Sequence, residues 1–283
     1  METRIPENRK ISEFFDSNKY HPAVHTERGN SQKGGGVVLR LDWKKTAVLA
    51  LTAALVFPWV GVAFQERYPE ACPADAVLTE ECEPKLIALT FDDGPRRFTT
   101  TQLLDGLAQR GVKATFFMIG SQVPGNEDLL RRMDREGHQI GIHTYDHVRI
   151  TGLNAADFSA QVDRTRTVLK NVLGHNDFLL RPPYGMVDNS VKCRAGCPII
   201  LWSIDPEDWD DRNTDRVVEH VISRAKDGDI ILLHDIYPTS VEAALRIVDA
   251  LHQKGFYFVT VNELADQRHV DLKAGSTYRN FYQ

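Results

Sequence analysis

LIALTFDDGP, running from Leu86 to Pro95, carries an almost wholly apolar run straight into two aspartates, a glycine and a proline. A short continuous apolar run closed by turn residues predicts a strand buried on both faces. Working outward from it, the same pattern recurs at VKATFFMI (112–119), QIGIH (139–143), FLLR (178–181), PIILWSI (198–204), DIILLH (229–234) and FYFVTV (256–261). Between these runs, amphipathic periodicity predicts helices at about 99–110, 126–136, 154–173, 213–226, 240–253 and 262–267. Buried strands alternating with helices predict a parallel sheet, either a (β/α) barrel or an open doubly wound sheet. Both architectures bind ligands at the carboxyl ends of their strands.

Ionisable residues gather at those ends. The first strand runs into Asp92 and Asp93, and the third ends on His143. FLLR ends on Arg181, followed by Pro182-Pro183-Tyr184. PIILWSI leads to Asp205, Asp208 and Trp209, and DIILLH ends on His234-Asp235. A lone Asp-Asp-Gly-Pro reads as a turn and helix N-cap. With His143 and His147 added, one aspartate and two histidines match a divalent-metal site with an open position for water. Spacing alone does not establish this, because His21 and His25 in HPAVH are also four apart. The remaining histidines, His138, His175, His220, His252 and His269, read as surface or internally satisfied groups. Asp146 reads as solvent-facing, Phe116-Phe117 as core, Trp202 as core or cleft rim, and Asp235 as a loop cap. Asp205 pairs with Arg181 or serves structurally.

The rest of the 283-residue chain bounds the setting. Residues 1–45 hold nine Lys/Arg against six Asp/Glu, while the whole chain is −5, so residues 46–283 carry −8. That acidic balance argues against a nucleic-acid partner. Thr46–Phe64 is uncharged over nineteen residues, roughly 28 Å of helix, about one bilayer core. Arg40, Lys44 and Lys45 precede it, which predicts a cytoplasmic N-terminus and an extracytoplasmic C-terminal part. A cleaved signal peptide and a buried soluble helix are the competing readings. The first conflicts with the long preceding segment, the second with the absence of an amphipathic period. The expected organisation is a cytoplasmic tail (1–45), a membrane anchor (46–64), a linker (65–84), the α/β domain (85–270) and a C-terminal tail (271–283). Cys72, Cys82, Cys193 and Cys197 all follow the anchor. Cys72–Cys82 and Cys193–Cys197 are the most local of three full disulfide pairings.

Taken together and in order, Thr90-Phe91-Asp92-Asp93-Gly94-Pro95, His143-Thr144-Tyr145-Asp146-His147, Arg181-Pro182-Pro183-Tyr184, Asp208-Trp209 and Leu232-Leu233-His234 resemble the five motifs of the polysaccharide deacetylases. This is the NodB-homology group, carbohydrate esterase family 4. The resemblance covers about residues 84–268 and implies a distorted (β/α) barrel. It further implies that Asp93, His143 and His147 bind a divalent metal, with zinc the first expectation and cobalt or manganese alternatives. Asp92 would be the general base acting on the attacking water, held in place and kept acidic by Arg181. His234 would be the general acid, oriented by Asp208. The backbone N–H of Tyr184, with the metal, would stabilise the oxyanion, and Trp209 and Leu232 would wall a slot for the acetyl methyl. The implied reaction removes N-acetyl groups from amino sugars of a cell-wall glycan, with peptidoglycan the simplest choice for an outward-facing tethered domain. Chitin oligomers or another exopolysaccharide are alternatives, as is a non-enzymatic tethered glycan-binding module.

Overall fold

The structure, a computed structural model, describes residues 84–210 and 212–283. Strand β1 (Lys85–Asp92) is its organising element. Every residue of β1 from Leu86 to Asp92 is buried, as expected for a strand covered on both faces. It pairs in parallel with β2 (Thr115–Met118), β5 (Ile230–His234) and, through its first residues, β6 (Phe256–Phe258). Strand β3 (Gln139–Ile142) continues the sheet beyond β2. Isolated parallel bridges Ile142–Leu180, Leu180–Ile199 and Ile204–Ile231 then carry it through the 178–181 and 198–204 segments back to β5. The path closes on itself, so the sheet is a distorted barrel rather than an open sheet.

Helices cover the outside. They are α1 (Arg97–Gln109), α2 (Glu127–Arg135), α3 (Ala155–Leu173), α4 (Asn189–Arg194), α5 (Thr214–Arg224), α6 (Pro238–Gln253) and α7 (Val261–Gln267). Local sequence sets their ends. Asn154 caps α3 by accepting the Asp157 N–H, and Thr260 with Glu263 forms a capping box on α7. Leu103, Leu104 and Leu107 of α1 and Ala244, Ile247 and Val248 of α6 pack in one core with Phe91, Leu89 and Leu233.

Several expectations need correction. FLLR forms only single bridges at Leu180, because Pro182 and Pro183 lack the N–H groups that would extend pairing. PIILWSI is interrupted, with a two-residue β4 (Ile199–Ile200) and a separate bridge at Ile204. Tyr257 is exposed between buried Phe256 and Phe258, so β6 buries one face rather than a whole aromatic cluster. Residues 271–283 are not a free tail: Thr277–Tyr278 (β7) pairs with β4, and Phe281 is buried beside Leu86 and Ile230. Cys193 and Cys197 are free thiols rather than a disulfide, one exposed and one buried. The Cys197 thiol donates to the Ala195 carbonyl and accepts from Arg166. Among the described residues no helix is long and apolar enough to cross a membrane. The tail at 1–45, the span Thr46–Phe64, all but the last residue of the linker, and Cys72 and Cys82 lie outside the described residues.

Candidate active site

Register creates the site. In parallel pairing, Thr90 lies opposite Leu232 and Asp92 opposite His234, about 4.8 Å apart across neighbouring strands. An acid and a histidine separated by 142 positions in sequence are thus neighbours at the carboxyl end of the barrel. Leu232, buried and two residues before His234, stands on the same face of β5.

Asp92 is held from below by Arg181. The guanidinium is fully buried and donates to Asp92 Oδ1 at 2.9 Å and Thr90 Oγ1 at 2.7 Å. Its other nitrogens donate to the Ile200 and Leu201 carbonyls, and its plane lies over the Phe117 ring. Burial pushes the Arg181 guanidinium below its ordinary range, while the Asp92 charge opposes that shift. With Oδ1 committed, Asp92 Oδ2 faces His143, 3.7 Å from its Nε2. Asp205 makes no close ion pair with Arg181 among the described residues, although its charge raises the Arg181 pKa. It accepts the Glu207 N–H and shapes the turn before Asp208.

His143 and His147 do not share a helical face. They lie in a loop where Thr144 (φ 62°) and His147 (φ 56°) are left-handed. That conformation is costly for non-glycine residues, most of all for β-branched Thr144. Asp93 (φ 73°) and Tyr184 (φ 61°) share it, and such strain concentrates at functional sites. The turns bring Asp93 Oδ1 to 3.5 Å from His143 Nε2 and 3.2 Å from His147 Nε2. Buried His143 Nδ1 lies 2.7 Å from the Arg181 carbonyl. A carbonyl can only accept, so that nitrogen carries the proton and Nε2 presents a lone pair. Burial pulls the His147 imidazole below its ordinary value, and so toward the neutral ligand form, while the Asp93 charge opposes that shift. One ligand atom from each of Asp93, His143 and His147 lies within 4.8 Å of the others. Asp93 Oδ1 is buried without a hydrogen-bond partner. An orphaned carboxylate oxygen facing two imidazole nitrogens fits a dication, and the nitrogen–oxygen donor set suits zinc and cobalt.

His234 is clamped by both oxygens of buried Asp208. Oδ1 receives Nδ1–H at 2.8 Å and Oδ2 receives the backbone N–H at 2.9 Å. Burial lowers the His234 pKa, but the Asp208 bond and charge, with Asp93 and Asp92, raise it to about 9. The imidazole is therefore protonated at neutral pH. Tyr184, half exposed, sets its ring edge-on to His147 at 5.1 Å between centroids, and Trp209 is also exposed. All five sequence motifs thus meet at one end of the barrel. Asp235 does sit in the turn after β5, but rather than capping an open loop it is fully buried and accepts from the Thr100 hydroxyl. Asp146 is exposed, and His138 is a buried histidine satisfied by the Ala114 N–H, both as expected.

The sequence of residues 79–196 matches the family model described as polysaccharide deacetylase. Over 188 residues the chain is 40% identical to the peptidoglycan-N-acetylmuramic acid deacetylase PdaC of Bacillus subtilis, covering 66% of this chain and 40% of that protein. It thus spans about two fifths of the length of this and similar curated relatives. A peptidoglycan-N-acetylglucosamine deacetylase of Bacillus cereus is 39% identical, with 65% of this chain and 90% of the relative aligned. Among solved structures, a family 4 acetyl xylan esterase from Clostridium thermocellum, in complex with a cobalt ion, superposes with a TM-score of 0.67. It is 29% identical, over 70% of this chain and all (100%) of that one.

Proposed function

The chain belongs to the polysaccharide deacetylase family, and on that premise we propose that it hydrolyses N-acetyl groups of amino sugars in peptidoglycan, releasing acetate. The observation that carries this reading is the pairing of Asp92 with His234 across β1 and β5 beside the Asp93–His143–His147 cluster. Two relatives named for peptidoglycan sugars support the choice of polymer.

Asp93, His143 and His147 would hold the dication. When bound it supplies the charge that acidifies water and polarises the amide carbonyl. The chain's own groups do the proton work. Asp92 Oδ2 takes a proton from the attacking water while Arg181 holds Oδ1. His234, with Nδ1 committed to Asp208, gives the Nε2 proton to the departing nitrogen as the amide C–N bond breaks. The products are acetate and a free amino sugar, and the proton taken by Asp92 balances the one given by His234. The Tyr184 backbone N–H is assigned to the developing oxyanion, and Trp209 and Leu232 to the acetyl methyl. The first 83 residues are assigned a tethering role: Thr46–Phe64 crosses the membrane, with residues 1–45 cytoplasmic and the barrel outside.

The test is mass spectrometry of muropeptides, chito-oligomers and other N-acetylated exopolysaccharide fragments after incubation with the zinc-loaded chain. Loss of acetyl from peptidoglycan sugars is the expected result, and fragmentation reports whether glucosamine or muramic acid was attacked. Turnover of chito-oligomers alone would reassign the polymer, and no turnover of any would overturn the reading. Protease treatment of intact cells should digest the barrel. Its protection would contradict the outward topology.

A further inference from the structure

Asp235 follows the general acid in sequence, and its side chain is buried against Gly94 and Thr100. Its carboxyl is fully buried. Oδ2 accepts from the Thr100 hydroxyl, and Oδ1 has no hydrogen-bond partner. The Thr100 oxygen in turn accepts the Arg96 backbone N–H at 2.8 Å. A line of hydrogen bonds therefore runs from the turn after β1, through the first coil of α1, to the end of β5.

The same carboxyl abuts Gly94. A β-carbon placed on Gly94 would lie 2.6 Å from both Asp235 oxygens, closer than real contacts allow. Gly94 is required here for approach, because its φ is not left-handed. From the opposite side, the Gly94 carbonyl accepts the Ile119 N–H at 3.0 Å. The turn that carries Asp93 is thus gripped at Gly94 and Arg96 while Asp93 itself is left-handed (φ 73°). A strained backbone persists only where its surroundings over-determine it. A buried, half-satisfied carboxyl is costly in itself, and what it secures is that turn.

We propose that Asp235 is a positioning residue: through Thr100 and its contact with Gly94 it locks the turn after β1, keeping Asp93 aligned with His143 and His147. Because Asp235 directly follows His234 at the end of β5, the lock joins the metal ligand and the general acid in one rigid unit. The inference takes the catalytic roles from the proposed function. The metal-binding part stands on the geometry alone.

The experiment uses the full chain, stripped of metal, with zinc titrated by calorimetry and acetate release measured in parallel. Asp235→Asn keeps an oxygen for the Thr100 hydroxyl and should stay within about threefold of the unmodified protein in zinc affinity and kcat. Asp235→Ala cuts the link and should weaken zinc binding and lower kcat by about 10–100-fold, the usual range for groups supporting a ligand, with KM little changed. Thr100→Val, which keeps the volume, should move both quantities the same way by a smaller factor, and it decides the matter if Asp235→Ala does not fold. Folded Asp235→Ala or Thr100→Val with unchanged zinc affinity would reduce Asp235 to a packing residue. Asp235→Asn as damaging as Asp235→Ala would overturn the link in favour of a requirement for charge. If the unmodified protein binds zinc but releases no acetate, the proposed function fails, while the zinc titrations still decide this inference.

Discussion

Strands β1 and β5 lie side by side, and each runs into two adjacent ionisable residues, Asp92-Asp93 and His234-Asp235. In both pairs the first residue is set by a buried group of opposite charge: Arg181 for Asp92, Asp208 for His234. The second residues diverge. Both lie just beyond their strands, and Asp235, in the turn after β5, is wholly buried. Asp93 has a left-handed backbone, and its carboxylate lies beside two histidines. The carboxylate facing imidazole nitrogens gains from a cation. The one facing a hydroxyl and a glycine is pushed up to about 7, chiefly by burial, with Asp93 adding and the Thr100 bond opposing.

The largest effect should come from the first residue of β1's pair. Asp92→Asn keeps the shape and removes the base, so kcat for acetate release should fall by about 10³-fold while metal content is unchanged. Loss of metal instead would show that Asp92, not Asp93 alone, acts as a ligand. The second residue's role is sharpened by removing a partner. His143→Ala should weaken zinc binding about 100-fold by calorimetry, and full retention would dissolve the distinction between Asp93 and Asp235.

A smaller effect concerns β5's first residue. His234 acts as an acid only when protonated, so activity should decline as pH rises through about 9. Asp208→Asn removes the group that raises this pKa most and leaves the burial that lowers it. The alkaline limb of the kcat profile should move acidward by at least about one pH unit. An unmoved limb would detach that limb from His234.

The smallest effect contrasts His234 with a histidine that does no chemistry. His138 is buried, and burial brings its pKa to about 4. Its folded pKa is depressed, so the unfolded chain takes up the proton first as pH falls below 6.5. Stability should therefore drop between pH 6.5 and 4, by about 3 kcal/mol at most. His138→Gln should flatten this part of the stability profile in urea denaturation, and an unchanged slope would contradict the assignment.

Much of the site was legible because strand ends are marked locally. An apolar run that stops at Asp92, His143, Arg181 or His234 announces a strand and its carboxyl end together. The shape of the ligand loop was not legible. A four-residue spacing suggests one face of a helix, and nothing in Thr144 advertises a left-handed conformation that β-branched residues disfavour. The C-terminal strand was hidden for another reason: two paired residues, Thr277–Tyr278, carry no periodicity, and their partner β4 is equally short. Asp235 was misread because its partner Thr100 lies 135 positions away, beyond any local pattern.

Acetate release from peptidoglycan, followed through removal and return of the metal, tests the central claim most directly. Release should stop when a chelator strips the full chain, and should return when zinc, cobalt or manganese is restored. Undiminished release by protein shown to be metal-free by elemental analysis would contradict the account, and so would its absence in every metal state.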